Sequence, residues 1–151
     1  MNITNSIAEF TNQFTFAEPT NGKNPTFNVN VTNSVLTTVA KLCIAAPNTT
    51  FNVDNSTITL GTYFRNSGVF NLVNGSALTG KTIQFGENGG NNGAITVDNS
   101  SLTVIGGTGH PFDGLGVGSI TLVNGAYANV DYYKDMTINV DATSTFTGTE
   151  L

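Results

Sequence analysis

A short alternation of apolar and polar residues recurs along this chain and ends each time at a corner. Six blocks have large apolar side chains at their first and third positions and Asn or Thr at the second; they occupy residues 29–34, 51–56, 70–75, 95–100, 120–125 and 138–143. Such period-two alternation predicts a strand with one buried face. In five blocks Asn follows, and then Ser or Gly. Because Asn and Gly accept a left-handed backbone, each block predicts a strand that stops at a tight corner.

The spacing of the blocks predicts how the strands assemble. Successive blocks begin 18 to 25 residues apart, and further short strands are expected at 57–60, 82–85 and 101–104. A unit of this length cannot close a core alone, whereas stacked units bury a continuous column of side chains. We therefore predict an all-β, single-domain parallel β-solenoid, or β-helix, of about six coils. The alternative is a β-sandwich, which also has short alternating strands but gives no reason for a regular repeat.

The repeat divides the chain into two regions within one domain. Residues 27–151 carry the solenoid repeats, whereas residues 1–26 fit the repeat poorly. Phe14-Thr15-Phe16 has the alternation of a strand, and residues 18–25 are rich in turn-forming Pro, Gly and Asn. We expect residues 1–26 to form an N-terminal cap or a degenerate first coil.

Charge narrows the possible partners. The chain has ten acidic and five basic side chains, a net charge of −5, and its cations are scattered along the sequence. This balance argues against binding to nucleic acid or to an anionic membrane. No apolar run is long enough to cross a bilayer, and no signal peptide pattern begins the chain. An export signal, if the protein is exported, is therefore not expected in this chain.

Few residues are candidates for catalysis or metal binding. Asp54, Asp98 and Asp141 share the fourth block position, but the first two lie two coils apart, or about 9.6 Å. A calcium ion needs its oxygen ligands within ~2.6 Å, so we predict corner contacts and no metal site for these aspartates. Cys43 lies in an apolar stretch, far in sequence from the single histidine, His110. We accordingly predict no catalytic residue and no cofactor.

Two glycine-rich stretches interrupt the repeat, at 86–93 and 106–118. Both precede the block strand of adjacent coils, so they should bulge from the same edge, and insertions on one face of a solenoid often form its binding face. They contain five candidate ligand-binding residues: Glu87, Asn88, His110, Phe112 and Asp113. Glu87 and Asp113 are also the one carboxylate pair that we would test for hydrolysis of a polysaccharide. The simpler interpretation of both stretches is a loop that only turns a corner.

Tyr132 and Tyr133 are two further candidates for ligand binding. They lie among Asp131, Lys134 and Asp135 in the one aromatic and charged segment of the chain. Exposed tyrosines beside polar groups suit contacts with sugars or proteins. Alternatively, the two tyrosines are the core and rim positions of a single strand.

Repeats such as Ile-Thr-Val-Asp-Asn-Ser-Ser-Leu-Thr-Val at 95–104 resemble the β-helical passenger regions of bacterial autotransporters and related surface adhesins. The resemblance covers about residues 27–147. It implies a right-handed parallel β-helix outside the cell or on its surface, used as a stalk, fibre or adhesive surface. We therefore expect a non-enzymatic structural or adhesive module. Its expected partners are other copies stacked end to end, or a glycan or protein of a host or cell surface.

The alternative function is a carbohydrate-active β-helix, similar in fold to pectate lyases and polysaccharide-degrading glycosidases, or a glycan-binding module. Such enzymes need clustered carboxylates or a strong base beside bound calcium. The ten acidic residues of this chain are instead spread along the sequence.

Overall fold

The computed structural model describes residues 1–16, 25–85, 93–107 and 112–150, and these residues form strands without any helix. The strands are β1 (Asn2–Thr4), β2 (Ile7–Phe10), β3 (Phe14–Phe16), β4 (Phe27–Thr32), β5 (Val35–Thr38), β6 (Leu42–Ile44), β7 (Thr49–Asp54), β8 (Thr57–Leu60), β9 (Tyr63–Asn66), β10 (Val69–Val73), β11 (Ala77–Gly80), β12 (Thr82–Phe85), β13 (Ala94–Asp98), β14 (Ser101–Val104), β15 (Phe112–Val123), β16 (Tyr127–Val140) and β17 (Thr145–Glu150). It follows that no helix among the described residues could span a membrane.

Every strand pairing in the described part of the chain is parallel and joins equivalent strands of successive coils. β4 pairs with β1 and β7, β5 with β2 and β8, and β6 with β3 and β9. The predicted all-β parallel solenoid is therefore confirmed as a single domain, and the β-sandwich alternative is wrong. The predicted strands at 57–60, 82–85 and 101–104 are β8, β12 and β14.

The strands form three faces, which we call the first, second and third sheets. The first contains β1, β4, β7, β10, β13 and the C-terminal parts of β15 and β16. The second contains β2, β5, β8, β11, β14 and the N-terminal parts of β16 and β17. The third contains β3, β6, β9, β12 and the remaining parts of β15, β16 and β17. One strand from each sheet makes a rung, and these pairings define seven rungs.

The core runs along the inside of the three sheets. The first and third block positions point inward, as in Phe51 and Val53, which are fully buried, while Asn52 between them is not. Aromatic rings meet in the middle of the rod, where the Phe70 ring centroid lies 5.1 Å from that of Phe51 and 4.8 Å from that of Phe64. This continuous core replaces the closed core of an ordinary small domain.

The corner between the first and second sheets has the backbone that the blocks predict. Asparagine has a positive φ, between 44° and 57°, at each of six equivalent positions: Asn5, Asn33, Asn55, Asn74, Asn99 and Asn124. Asparagine visits this left-handed conformation at lower cost than most residues. The regular asparagines of the sequence thus set the turn in rung after rung.

The first rung lies within residues 1–16. Asn2-Ile3-Thr4-Asn5-Ser6 repeats the block from its second position, and β1, β2 and β3 stack in register on the next rung. Ile3 is buried, while Phe10 and Phe14 stack with their centroids 3.9 Å apart. Residues 17–24, which contain most of the predicted turn-rich segment, lie outside the described residues.

Candidate functional site

Asparagine side chains form a hydrogen-bonded ladder on the outside of the first sheet. This asparagine ladder consists of Asn2, Asn30, Asn52 and Asn71, which occupy one register position in successive rungs. In each step Nδ2 donates to Oδ1 of the preceding rung, at 2.9, 3.0 and 2.8 Å. Because every amide donates in the same sense, the ladder has a direction along the rod.

A second ladder follows the corner asparagines by one residue, or by two after Asn74, and is mostly buried. This serine ladder consists of Ser6, Ser34, Ser56, Ser76 and Ser100. Each of the first four backbone N–H groups donates to Oγ in the next rung, at 3.1, 2.9, 3.2 and 3.1 Å. The hydroxyls thereby give acceptors to buried backbone donors, which need them. Ala126 takes the next position and interrupts the ladder.

The block aspartates take part in the corner contacts as well. Nδ2 of Asn74 donates to Oδ1 of Asp54 at 2.8 Å, and Nδ2 of Asn124 donates to Oδ1 of Asp98 at 2.7 Å. Within the described ranges, no group of three or more His, Cys, Asp or Glu side chains is placed to hold a metal ion. These two carboxylates therefore act as hydrogen-bond acceptors between rungs.

Asp141 accepts several hydrogen bonds at the last rung. Its Oδ2 accepts from the Asn124 N–H at 2.8 Å, and its Oδ1 accepts from the N–H and hydroxyl of Thr143 at 3.0 and 2.9 Å. Hydrogen bonds from the Asn124 N–H, from the Ser144 hydroxyl and from Thr143 hold the pKa of Asp141 well below its usual range. Asp141 is thus suited to remain ionised and to cap the backbone of the rung before it.

The predicted tyrosines lie next to each other in β16 but differ in their surroundings. The Tyr133 ring meets Phe146 edge-on, with centroids 5.2 Å apart, and belongs to the apolar residues packed on the core. Tyr132 is 46% exposed and pairs with Thr149. Of the two, only Tyr132 therefore presents a largely solvent-facing ring.

The candidate loops are described only in part. Glu87, Asn88 and His110 lie outside the described residues. The backbone of Phe112 pairs with Ile83 in one neighbouring rung and with Tyr133 in the other, and Asp113 pairs with Gln84 and Lys134. The fold thus places Phe112, Asp113 and Tyr133 in adjacent rungs of the third sheet.

A cluster of cations around one aromatic ring lies where the second sheet turns into the third. Nζ of Lys41 lies 5.6 Å, and Cζ of Arg65 lies 5.3 Å, from the centroid of the Tyr63 ring. Lys81 and Tyr63 both line a shallow surface depression of about 300 Å³. We call Lys41, Tyr63, Arg65 and Lys81 the basic corner.

The basic corner was not predicted from the sequence, where the positive charges are scattered along the chain. Its residues are far apart in sequence, but Lys41 follows its corner asparagine by eight residues, as does Tyr63, while Lys81 follows by seven. The strand register places Lys41 beside Tyr63, because Leu42 pairs with Phe64, and it places Lys81 beside Thr62, because Thr82 pairs with Tyr63. Aligning the chain on the corner asparagines therefore identifies the pairing of Lys41 with Tyr63, whereas the place of Lys81 requires the strand register.

The fold and its ladders define the chain as a single-domain parallel β-solenoid held by rung-to-rung hydrogen bonds. Comparisons with protein-family models, with curated proteins and with solved structures found no match for this chain.

Proposed function

We propose that this chain is a non-enzymatic structural module of an extracellular or cell-surface fibre, and that it extends by stacking its first rung on the last rung of another copy. The observation that carries the proposal is the direction of the two ladders. At the position of each ladder, the first and last rungs present a donor and an acceptor that match, although Thr96 and Thr121 separate Asn71 from Asn139 at the asparagine position.

The asparagine ladder supports head-to-tail stacking. Asn2 accepts from Asn30 through Oδ1, so its own Nδ2 donors point toward a preceding rung. Asn139 occupies the same register position in the last rung, beside Thr121, and is exposed. If the first rung of a second copy stacks on the last rung of this one, Nδ2 of Asn2 in the second copy can donate to Oδ1 of Asn139.

The serine ladder supports the same head-to-tail arrangement, in which the first rung of one copy stacks on the last rung of another. The Ala126 N–H donates to Oγ of Ser144 at 3.1 Å, so Ser144 belongs to the ladder position of the last rung. The Ser144 N–H makes a long contact, 3.4 Å, to the Asp141 carbonyl oxygen. Oγ of Ser6 in a stacked copy is the acceptor that continues the ladder. Both ladders are thus satisfied by one arrangement, which repeats without closing and generates a filament.

Apolar side chains also lie at both ends of the core. Met136, Ile138 and Phe146 in the last rung are partly buried, as are Ala8, Phe10 and Phe14 in the first. Stacking would remove the remaining apolar surface of both ends from water, which favours association.

Sedimentation velocity and electron microscopy over a range of concentrations test this proposal. We expect particles that lengthen with concentration and keep a constant width. Ile138→Lys places a charge on the end of the core and should keep the protein monomeric, because an unpaired charge is costly to bury. Thr59→Lys, on the exposed outer side of β8, is the matched control and should assemble like the native chain.

Three outcomes contradict the proposal. The native chain could remain a monomer at high concentration, Ile138→Lys could assemble as well as the native chain, or Thr59→Lys could block assembly equally. Circular dichroism of both variants checks that each retains the native strand content.

The alternative function is a carbohydrate-active or glycan-binding β-helix. For the enzyme, the carboxylates Asp54 and Asp98 are engaged by asparagine amides at the corner, which suits a structural role better than acid or base catalysis. For glycan binding, the basic corner is a specific favourable observation.

A further inference from the structure

The side chain of one corner asparagine, Asn99, is exposed and has no hydrogen-bond partner among the residues that the structure describes. In the rungs before and after it, the corner amides of Asn74 and Asn124 donate to aspartate carboxylates, at 2.8 and 2.7 Å. Those amides are committed to contacts between rungs. The Asn99 amide, in contrast, has both its donors and its acceptor available to a ligand.

Glycines leave open space on both sides of Asn99. The corners of the two neighbouring rungs each contain an extra residue, Gly75 or Gly125, between the asparagine and the next position of the serine ladder. Both glycines have a φ of 76°, and a Cβ at either would meet no atom within 4 Å. The Gly75 N–H donates to the Asn99 carbonyl oxygen at 2.8 Å, so the corners are directly adjacent. The Asn99 side chain is therefore flanked by two positions without side chains.

The space beside Asn99 opens onto an exposed tyrosine. Tyr127 is 44% exposed and pairs with Ser101 of the preceding rung. Both residues line a depression of about 290 Å³, together with Asn99 and the two glycines. This volume is near the lower end of the range for small-molecule sites, about 300–1,000 Å³. We call Gly75, Asn99, Ser101, Gly125 and Tyr127 the glycine notch.

The chemistry of the glycine notch suits a neutral sugar. No charged residue is among those that line the depression, so a charged ligand would find no ion pair there. The Asn99 amide has a donor and an acceptor side by side, which match two adjacent hydroxyls, and the Ser101 hydroxyl can bond to a third. The Tyr127 ring has an apolar face, which suits the C–H face of a sugar ring. An apolar ligand would instead remove the amide from water without a hydrogen bond, which is costly.

We infer that the glycine notch binds one neutral hexose residue, whose ring stacks on Tyr127 and whose adjacent hydroxyls bond to the Asn99 amide. This role goes beyond the proposed structural one. It does not depend on end-to-end assembly, because the notch lies in the fourth, fifth and sixth of the seven rungs. A chain that stays monomeric could therefore still bind the sugar.

Two-dimensional amide NMR with the methyl glycosides of glucose, galactose and mannose tests the inference. Titration with at least one of them to about 50 mM should give saturable shifts of the Asn99 side-chain amide and of the Gly75 and Gly125 backbone amides, because a shallow site with few contacts binds weakly. The tetra-O-methyl derivative of the same glycoside keeps the ring without any hydroxyl donor and should give no saturable shift. Methyl glucuronide should bind no more tightly than methyl glucoside, since no cation lines the notch.

Variants with matched controls assign the binding to the notch. Tyr127→Val removes the ring and should weaken binding by at least about fivefold. Tyr132→Val makes the same change at a tyrosine that is 46% exposed but lies outside the notch, and should change affinity by less than about twofold. Asn99→Gly keeps the left-handed backbone and removes the amide, which should also cost at least about fivefold. Asn55→Gly makes that change two rungs away and should leave affinity within about twofold.

Four results would overturn the inference. They are absence of saturable shifts with all three glycosides, equal shifts with the tetra-O-methyl derivative, tighter binding of the glucuronide, and equal loss of affinity in a variant and its matched control. Thermal unfolding of each variant distinguishes lost contacts from a lost fold.

Discussion

The serine ladder allows a quantitative test of what holds the rungs together. Oγ of Ser56 accepts from the buried Ser34 N–H at 2.9 Å, donates to the Asp54 carbonyl oxygen at 2.7 Å, and makes a longer contact of 3.3 Å to the Val31 carbonyl oxygen. Ser56→Ala removes these three contacts while it keeps Cβ and the backbone. The variant therefore isolates the hydroxyl from the packing around it.

The magnitude follows from the three groups that lose a contact. The contact with the Val31 carbonyl oxygen is long, at 3.3 Å, so its loss is small. The Asp54 carbonyl still accepts from the Asn33 N–H at 3.1 Å, so its loss is small. The Ser34 N–H, in a residue that is 4% exposed, is left buried without an acceptor, which costs about 1–3 kcal/mol. For a chain of this size each kcal/mol corresponds to a fall in Tm of roughly 2–4 °C.

Thermal and urea unfolding followed by circular dichroism measure this loss. Ser101→Ala is the matched control, since its hydroxyl lies outside the ladder on a partly exposed strand position, and it should change stability by less than about 0.5 kcal/mol. The reasoning fails if Ser56→Ala costs no more than Ser101→Ala.

Ala126, which interrupts the serine ladder, allows the opposite experiment, in which a hydroxyl is added to the ladder. Ser100 pairs with this position in the next rung, and the Ala126 N–H continues the ladder to Ser144. Ala126→Ser would provide the missing hydroxyl to the Ser100 N–H and should stabilise the fold by about 1 kcal/mol. A destabilised variant would mean that the corner at this rung has no room for the hydroxyl.

Two further predictions concern the corners. Asn55→Ala should cost about 1–2 kcal/mol, because φ at Asn55 is +46° and alanine is strained there; Asn55→Gly should cost less in the same urea titrations, and equal losses would contradict the role of backbone strain. Asp141 has a folded pKa below its unfolded value of 3.8, so its stabilisation is present above that value and is lost as the pH falls from it toward the folded pKa. The stability difference between the native chain and Asp141→Asn should therefore shrink on acidification, and a difference that stays constant with pH would contradict this assignment.

The part of the fold that the sequence predicts is the part where side chain and backbone both repeat. In the first sheet, alternation identifies the buried positions such as Phe51 and Val53, and asparagine marks the turn through its tolerance of positive φ. Each signal is local, so it can be recognised one block at a time. The first rung follows the same rule in Asn2-Ile3-Thr4-Asn5-Ser6.

Most of the third sheet could not be predicted in this way, although the alternation at 82–85 did predict β12. Its strands β6 and β9 have only three and four residues, and their sequences, Leu-Cys-Ile and Tyr-Phe-Arg-Asn, share no residue at equivalent positions. The basic corner was missed for the same reason, because Lys41, Tyr63 and Lys81 become neighbours only through the register between rungs. Register is a long-range property, and composition along the chain does not contain it.

The first sheet and the basic corner differ in how they contribute to the solenoid. Asparagine contacts join the first four rungs and serine contacts join the first five, and the direction of those contacts favours further stacking. The strands β6 and β9 of the third sheet, in contrast, change residue type from one rung to the next. Because the basic corner and the serine ladder share no partners in the described structure, their effects on stability should be independent. Ser56→Ala should lower the Tm, whereas Lys41→Met with Lys81→Met should leave it nearly unchanged. If the lysine substitutions lowered the Tm as much as Ser56→Ala, the basic corner would also hold the rungs together.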